Sequence, residues 1–421
     1  MFMQFKIIDF RKIDKYSKTM KYIFIACLTL GLFSAVGFGE IKIDTAIEGG
    51  NAEIVSVEDS TITFRPQLRD TQEWWFYWRF DILGAEGKTI TLQCADRNSF
   101  DYEGAAVSFD GGKSWRYTGN NSVDFKNKRL SIAVPEGVSR VGVSFAIPYT
   151  SENLGRLLKK YSGKPEFKVH PLAKTKKGRQ NIYITLEPVG REAVKKVAFT
   201  ARHHACEMTA NYVIEGIVSR YFSDTPQGKW ARENLAVFIV PFMDYDGVID
   251  GDQGKNRAPH DHNRDYIDTI YPSVGAIKKE LPRWADGKLL FAIDVHCPYI
   301  SARNPAKEIN DRLMFTAPQS DFANKNLEKF TALLSSELAE NPARPQLDPN
   351  DIVKFGTMWN TQKKPIIFKF WAERLPSCEF GASLEIPYTN ISGKWISSPE
   401  NAGYVGEKIL DATIKYPASK K

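Results

Sequence analysis

The spacing of apolar runs changes near residue 150, and this change is the strongest constraint on the fold. Before it, short runs of β-branched and aromatic residues are separated by turn residues, and Asp110-Gly111-Gly112 marks a hairpin. This pattern predicts an antiparallel β-sandwich domain over residues 40–150. After it, strand-like and helix-like segments alternate. The alternation predicts an α/β domain over residues 151–421, with a mixed, doubly wound sheet.

The individual elements follow from local patterns. The strands expected in the first region are Thr61–Phe64, Trp75–Phe80, Lys88–Gln93, Ala105–Phe109 and Val141–Ala146. The strands expected in the second region are Lys196–Thr200, Ala236–Pro241, Lys288–Val295 and Ser383–Ile386. The helices expected there are one that begins at Ser151, one over Thr209–Tyr221 and one over Ser320–Leu338.

The N-terminal segment has the composition of an export signal. The apolar run Tyr22–Phe38 follows two lysines and ends among glycines, which predicts cleavage near Glu40. Residues 1–39 are therefore predicted to be a signal peptide with an upstream extension. A core helix or a membrane anchor would be the alternative, but the run is short for a span and no basic stop follows. The mature protein is expected to be secreted or periplasmic, without stable membrane insertion.

Charge argues against a nucleic-acid partner. The 421 residues include 57 Lys and Arg against 50 Asp and Glu, a net charge of +7. Basic residues are scattered, apart from a short cluster over residues 174–179 that is interpreted as a solvated loop. We therefore expect no nucleic-acid binding, since such surfaces concentrate Lys and Arg on one face.

One short motif carries metal-binding chemistry. His204 and Glu207 form an H-x-x-E pattern, which places an imidazole and a carboxylate on one face of a helical turn. Both groups are ligands for Zn²⁺, and a catalytic zinc takes a third protein ligand and keeps one position for water. The sequence offers that third ligand at His296, at the end of the apolar run Leu290–Val295.

Other histidines offer alternatives. A bare H-x-x-E is also common at helix starts, with a solvated glutamate. His203 adjoins His204 but would pair with Glu207 at a spacing of four. His260 and His262 form an H-x-H pair, which is itself a metal-ligand pattern, although no third partner is in register and a polar loop beside the cleft is the favoured interpretation.

The order of further motifs carries a family resemblance. These motifs are Val143–Thr150, Asp244–Val248, Asp261–Tyr266 and Ala382–Pro387. Together with the metal motif they resemble the zinc carboxypeptidases of the carboxypeptidase A type. Within that family the chain looks most like the cytosolic carboxypeptidase branch, which has a β-sandwich before the catalytic domain. The resemblance extends over roughly residues 60 to 410.

The resemblance implies a role for each of several residues. Zinc bound by His204, Glu207 and His296 would activate a water molecule, and Glu385 would act as the general base. Arg257 would stabilise the oxyanion of the tetrahedral intermediate.

Asn263 and Arg264 would bind the terminal carboxylate of a peptide substrate. Two departures from the family are visible. A small insertion over residues 250–255 separates Arg257 from the preceding motif, and no tyrosine occurs between Trp359 and Glu385 to supply the family's mobile hydroxyl.

The sequence says less about substrate specificity and about the backbone of the substrate cleft. Lys369 and Arg374 lie in the stretch that sets side-chain preference in relatives, either as a basic pocket floor or as surface residues. The resemblance also implies a cis peptide bond at Cys297–Pro298, where proline makes the cis form accessible.

The cysteines allow two interpretations. Cys94, Cys206, Cys297 and Cys378 follow the predicted signal and are too few for a disulfide scaffold. Those near the predicted site are either buried thiols or a disulfide or thiolate beside the metal.

Three functions compete on this evidence. The leading hypothesis is a secreted zinc metallocarboxypeptidase that removes the C-terminal residue of a peptide. The second is an amidase that acts on cell-wall stem peptides or a small acylated amino acid. The third is a non-catalytic binding protein with a degenerate peptidase domain. The intact set of His204, Glu207, His296 and Glu385 argues against degeneration.

Overall fold

The computed structural model describes residues 40–300, 309–364 and 366–417. The predicted signal peptide, residues 1–39, lies outside these ranges. By its contacts the chain from Ile41 to Lys421 forms one compact unit. The domain boundary near residue 150 stays a prediction.

Two five-stranded sheets form the N-terminal region. Their strands are β1 (Lys42–Asp44), β2 (Glu53–Glu58), β3 (Thr61–Arg65), β4 (Arg79–Leu83), β5 (Thr89–Cys94), β6 (Ala106–Ser108), β7 (Arg116–Tyr117), β8 (Val123–Asp124), β9 (Arg129–Ala133) and β10 (Arg140–Ser144). One sheet has the order β1-β4-β10-β6-β7 and the other the order β2-β3-β5-β9-β8. The pairs are antiparallel except β3 and β5, which run parallel.

Alternation along the strands builds the core of this region. Phe64 on β3 and Phe80 on β4 are fully buried, with ring centroids 5.3 Å apart, and the Trp78 ring lies 4.9 Å from Phe64. The expected strand over Trp75–Phe80 is wrong in its first four residues, because β4 begins only at Arg79. The backbone of Tyr77, just before β4, instead forms two hydrogen bonds with the side chain of Gln253 in the second region.

An eight-stranded mixed sheet forms the second region. Its strands are β11 (Phe167–Lys174), β12 (Gln180–Leu186), β13 (Lys195–Ala201), β14 (Leu235–Val240), β15 (Leu289–His296), β16 (Met314–Thr316), β17 (Ile352–Val353) and β18 (Phe380–Glu385). The order is β11-β12-β14-β13-β15-β18-β16-β17, and the central four strands are parallel. A small hairpin follows, formed by β19 (Asn390–Ile391) and β20 (Trp395–Ile396).

Helices cover both faces of this sheet. They are α1 (Ser151–Tyr161), α2 (Thr209–Tyr221), α3 (Pro226–Asn234), α4 (Tyr245–Asp250), α5 (Pro272–Ala285), α6 (Asp321–Ala339), α7 (Phe368–Ala372) and α8 (Pro399–Lys415). The helix predicted over Thr209–Tyr221 has the predicted bounds. None of the helices in the described ranges combines the length and apolar character needed to cross a bilayer.

Successive residues of the central strands enter two different hydrophobic clusters. Phe199 on β13 and Ile293 on β15 belong to the larger cluster, which contains the buried faces of α2, α6 and α8. Their neighbours Ala198 and Ala292 belong to a second cluster, with residues of α5 and α7. Because side chains alternate across a strand, both faces of the sheet are buried. The predicted α/β class with a mixed, doubly wound sheet is thus confirmed.

Candidate metal centre and active-site cavity

The ends of two parallel strands bring a histidine and a glutamate together. In the β15–β18 pair, His296 is in register with Glu385, and each is the last residue of its strand. Every residue of both strands is buried. The two side chains therefore emerge at the carboxyl edge of the sheet, where α/β proteins place their sites.

The H-x-x-E residues lie in a turn between β13 and α2. The amide of Glu207 donates a hydrogen bond to the carbonyl oxygen of His204 at 3.2 Å, and α2 begins only at Thr209. The predicted helical turn is therefore an isolated turn that precedes α2. A single hydrogen-bonded turn produces the same i, i+3 proximity.

A buried arginine and a glycine shape this turn. Arg202 has φ +61°, and its Nε donates to the carbonyl oxygen of Ala205 at 2.8 Å. Its Nη1 donates to the Asn211 side chain at 3.0 Å. Gly254, with φ +75°, lies so close that a Cβ there would meet the Ala205 amide nitrogen at 2.1 Å. The position thus requires glycine.

Three predicted ligands converge around Glu207. Its Oε1 lies 2.9 Å from His204 Nδ1, and its Oε2 lies 2.7 Å from His296 Nδ1. One donor atom from each residue lies within 4.8 Å of the others, and all three side chains are buried. Two imidazole nitrogens and a carboxylate oxygen are a donor set of catalytic zinc, so the residues fit that metal.

Electrostatics are consistent with an ionised ligand. Burial acts to raise the pKa of the Glu207 carboxyl, but the positive charges of His204 and Lys255 outweigh it and leave the pKa well below its usual range. A carboxylate in this state is ready to bind a cation.

His203 has a structural position. It forms a second convergent group with Asp294 and His296. However, its Nδ1 lies 2.8 Å from Asp294 Oδ1 and its Nε2 lies 2.8 Å from the Tyr266 hydroxyl. Since both ring nitrogens are occupied, His203 has no free nitrogen to offer a metal.

Two aspartates lie beside the ligand imidazoles, and sequence reasoning missed both. Asp294 contacts Nε2 of His296, which leaves Nδ1 of that ring facing Glu207. Asp261 Oδ1 lies 3.7 Å from Nε2 of His204. A carboxylate behind a ligand histidine fixes its tautomer and orientation. Asp294 was detectable from its position two residues before His296, on the same side of one strand.

The H-x-H pair is not a metal site in this geometry. Nε2 of His260 lies 2.8 Å from Asp265 Oδ1. The ring of His262 stacks on Tyr271 with centroids 3.7 Å apart. Of this tripeptide only the central residue, Asp261, reaches the ligand histidines.

One cavity of about 310 Å³ contains most of the predicted site. It is lined by His204, His296, Glu385, Asn263 and Arg264, among others. Burial raises the pKa of Glu385, although the charge of His296 opposes this shift. A carboxyl group with a raised pKa is suited to accept and return a proton.

Asn263 and Arg264 both line this cavity. The Asn263 side chain lies 3.2 Å from Nε2 of His296 and accepts a hydrogen bond from the amide of Phe368 at 3.0 Å. Arg264 is half-buried and donates through Nη1 to the carbonyl oxygen of Asn263 at 3.0 Å. Its guanidinium therefore borders the cavity beside the metal ligands.

Arg257 is not brought to this cavity. Its guanidinium faces Asp70, Asp244 and Asp252, and the neighbouring Lys255 lines the cavity in its place. The geometry gives no support to the oxyanion role predicted for Arg257.

The four cysteines Cys94, Cys206, Cys297 and Cys378 are buried free thiols, so the disulfide alternative is wrong.

The cis peptide bond predicted at Cys297–Pro298 is also wrong. Within the described ranges the only cis bond joins Ala258 to Pro259. Proline makes the cis form accessible without requiring it.

A tyrosine from an unexpected position lines the cavity. Tyr299 follows the His296 strand, is 40% exposed, and packs its ring 5.1 Å from that of Trp75. Trp75 comes from the N-terminal region, so that region contributes a wall of the cavity. The sequence motifs gave no signal for either residue.

Residues 156–283 match the sequence pattern of the zinc carboxypeptidase family. The chain carries a zinc carboxypeptidase domain. The match includes His204, Glu207, Asn263 and Arg264, whereas His296 lies beyond it. The carboxypeptidase resemblance predicted from the motifs is confirmed.

Known proteins extend the likeness beyond the matched range. Cytosolic carboxypeptidase 6 of Caenorhabditis elegans is 25% identical over 288 residues, which cover 62% of this chain and 63% of that protein. Cytosolic carboxypeptidase 2 of Danio rerio is 24% identical over 271 residues, which cover 56% of this chain and 37% of that protein. The chain thus spans less than two thirds of the length of either relative.

The fold has a close experimental counterpart. The crystal structure of a metallo-carboxypeptidase from Burkholderia cenocepacia superposes with a TM-score of 0.69 at 19% identity, over 90% of this chain and 99% of that one. The superposition includes both the sandwich region and the carboxypeptidase domain, because it covers nearly the whole described chain.

Proposed function

We propose that this protein is an exported zinc metallocarboxypeptidase that hydrolyses the C-terminal peptide bond of a peptide with a free carboxylate. One observation carries the proposal. Donor atoms of His204, Glu207 and His296 lie within 4.8 Å of one another, and two of these residues, His204 and His296, line one cavity with Glu385 and Arg264.

Each residue of the site has a separate role in the proposed hydrolysis. A zinc ion held by His204, Glu207 and His296 supplies Lewis acidity for the scissile carbonyl and for a water molecule. Glu385 takes a proton from the attacking water and gives it to the leaving amine, a task that its raised pKa favours. The carboxylate of Asp294 holds the His296 ring in its ligand orientation.

Arg264 makes the enzyme an exopeptidase in this proposal. A guanidinium presents paired N–H donors that match both oxygens of a carboxylate. Asn263 beside it has its amide oxygen occupied by Phe368, so its NH₂ group is the part that faces the cavity side. A peptide without a free C-terminus would leave the Arg264 charge unpaired.

Lys369 suggests which C-terminal side chain the enzyme prefers. It lines the cavity and is only 3% exposed. Its Nζ donates to the Thr316 hydroxyl at 2.6 Å and to the Asn360 side-chain oxygen at 2.8 Å, both neutral groups. Arg374 instead lies outside the cavity lining and contacts Gln319. We therefore propose that the enzyme prefers an acidic C-terminal side chain.

The test compares matched peptides on the purified full chain. Metal analysis should find one zinc per chain. Peptides that end in glutamate as free acids should release that amino acid, and C-terminally amidated versions of the same peptides should be nearly inert. Equal cleavage of both forms would contradict the carboxypeptidase proposal, and release from murein fragments alone would favour the amidase alternative.

Export is proposed from the apolar run Tyr22–Phe38 and the small residues before Glu40. Fractionation of producing cells should recover the protein outside the cytoplasm, with an N-terminus near residue 40. Recovery of the uncut chain from the cytoplasm would contradict this part of the proposal.

A further inference from the structure

Two basic residues in one loop have different surroundings. Arg257 is 5% exposed, and each of its guanidinium nitrogens faces a carboxylate oxygen: Nε to Asp70 at 3.0 Å, Nη1 to Asp244 at 2.8 Å and Nη2 to Asp252 at 2.9 Å. With three anionic partners the guanidinium has a structural role, since it holds the loop against the N-terminal region.

Lys255 lies two residues earlier and points into the metal-ligand cavity. It lines that cavity together with His296 and Glu385. Its Nζ lies 2.6 Å from Glu207 Oε1 and 5.2 Å from the centroid of the Trp75 ring. The side chain is 17% exposed, so the ammonium acts in a partly desolvated site, where a charge has a stronger effect than in water.

The backbone around Lys255 is fixed by the N-terminal region. The Thr71 hydroxyl donates to the carbonyl oxygen of Lys255 at 2.9 Å. The amide of Gln72 donates to the carbonyl oxygen of Asn256 at 3.0 Å. These contacts hold the lysine in place before substrate arrives, and such preorganisation is what makes a charge effective in catalysis.

Hydrolysis of an amide requires a donor where charge develops. When water adds to the carbonyl carbon, the carbonyl oxygen becomes an oxyanion, and that charge returns to the carbonyl as the C–N bond breaks and the amine leaves with a proton. We propose that the Lys255 ammonium donates a hydrogen bond to this oxyanion and keeps its own proton throughout. This inference rests on the proposed function.

The test separates transition-state binding from ground-state binding. Lys255→Met and Lys255→Gln should keep their zinc and their melting behaviour. Their kcat should fall by about 10²–10³-fold, as for loss of one oxyanion donor, with little change in KM. Affinity for a phosphonate peptide, which mimics the tetrahedral species, should fall by a similar factor. Affinity for the product amino acid should hardly change. Lys177→Met, at an exposed lysine paired with Asp250, is the matched control.

Three results would overturn the assignment. The first is a kcat and a phosphonate affinity within about threefold of wild type in both variants. The second is loss of zinc from both, which would make Lys255 a support of the ligand shell. The third is loss of phosphonate affinity in Arg257→Lys but not in Lys255→Met. A wild-type enzyme that releases no C-terminal residue from any peptide would instead contradict the proposed function.

Discussion

The metal-ligand side of the cavity and the side lined by Lys369 balance charge in different ways. At the ligands, the Glu207 carboxylate lies against Lys255 and against the imidazoles of His204 and His296, so the Lys255 ammonium supplies an opposite charge within the chain. Lys369 is equally buried, but its hydrogen-bond partners are neutral. A buried charge without a charged partner is costly, and a ligand of opposite charge removes that cost. Under the proposed function, the metal-ligand side would carry out the reaction and the Lys369 side would select the substrate.

The largest loss of activity is expected from substitution of Glu385, the proposed general base. Glu385→Gln removes the proton acceptor but preserves the shape of the side chain, so zinc content should stay at one per chain. The kcat should fall by about 10²–10⁴-fold, the usual contribution of a general base. Steady-state kinetics with metal analysis on the same sample would check this. A variant with near wild-type kcat would show that another residue is the base.

A change at Lys369 should affect kcat/KM differently for peptides with different C-terminal residues. Lys369→Met should lower kcat/KM for peptides that end in glutamate by about 10–100-fold, the range for a hydrogen bond to a charged group. Peptides that end in glutamine should be much less affected. Arg374→Met is the matched control, because Arg374 lies outside the cavity lining. Equal losses on both peptides would show that Lys369 only supports the fold.

The residue behind a ligand should affect the metal alone. Asp261→Asn keeps the size of the side chain but removes the charge beside His204. Zinc affinity should fall by about 10–100-fold, the usual effect of a lost partner of a ligand histidine. Competition with a chelator would measure it, and Asp268→Asn, an exposed neighbour, serves as control. Unchanged affinity would mean that Asp261 does not orient His204.

The sequence predicted the site residues on strands better than those in loops. His296 ends an apolar run typical of a buried strand, and Glu385 lies in a strand-like segment, so both strands followed from local pattern. That the two residues share one site was implied by the family resemblance. Lys255 and Arg257 lie in a loop with an insertion, where no periodicity fixes which side chain faces the cavity. Trp75 reaches the site through a contact between distant segments, which no local pattern encodes.

The smallest effect concerns pH. Burial lowers the pKa of Lys369 to about 7, so its ammonium is lost as pH rises through neutrality in the free enzyme. Because kcat/KM reports ionisations of the free enzyme, the preference for glutamate over glutamine at the C-terminus should fall roughly tenfold between about pH 6 and 8. The substrate carboxylate stays ionised throughout, and the titration of Glu385 affects both peptides alike, so it cancels in the ratio. Lys369→Met should show a flat ratio. A flat ratio in wild type, with glutamate still preferred, would mean that the Lys369 charge does not set the preference.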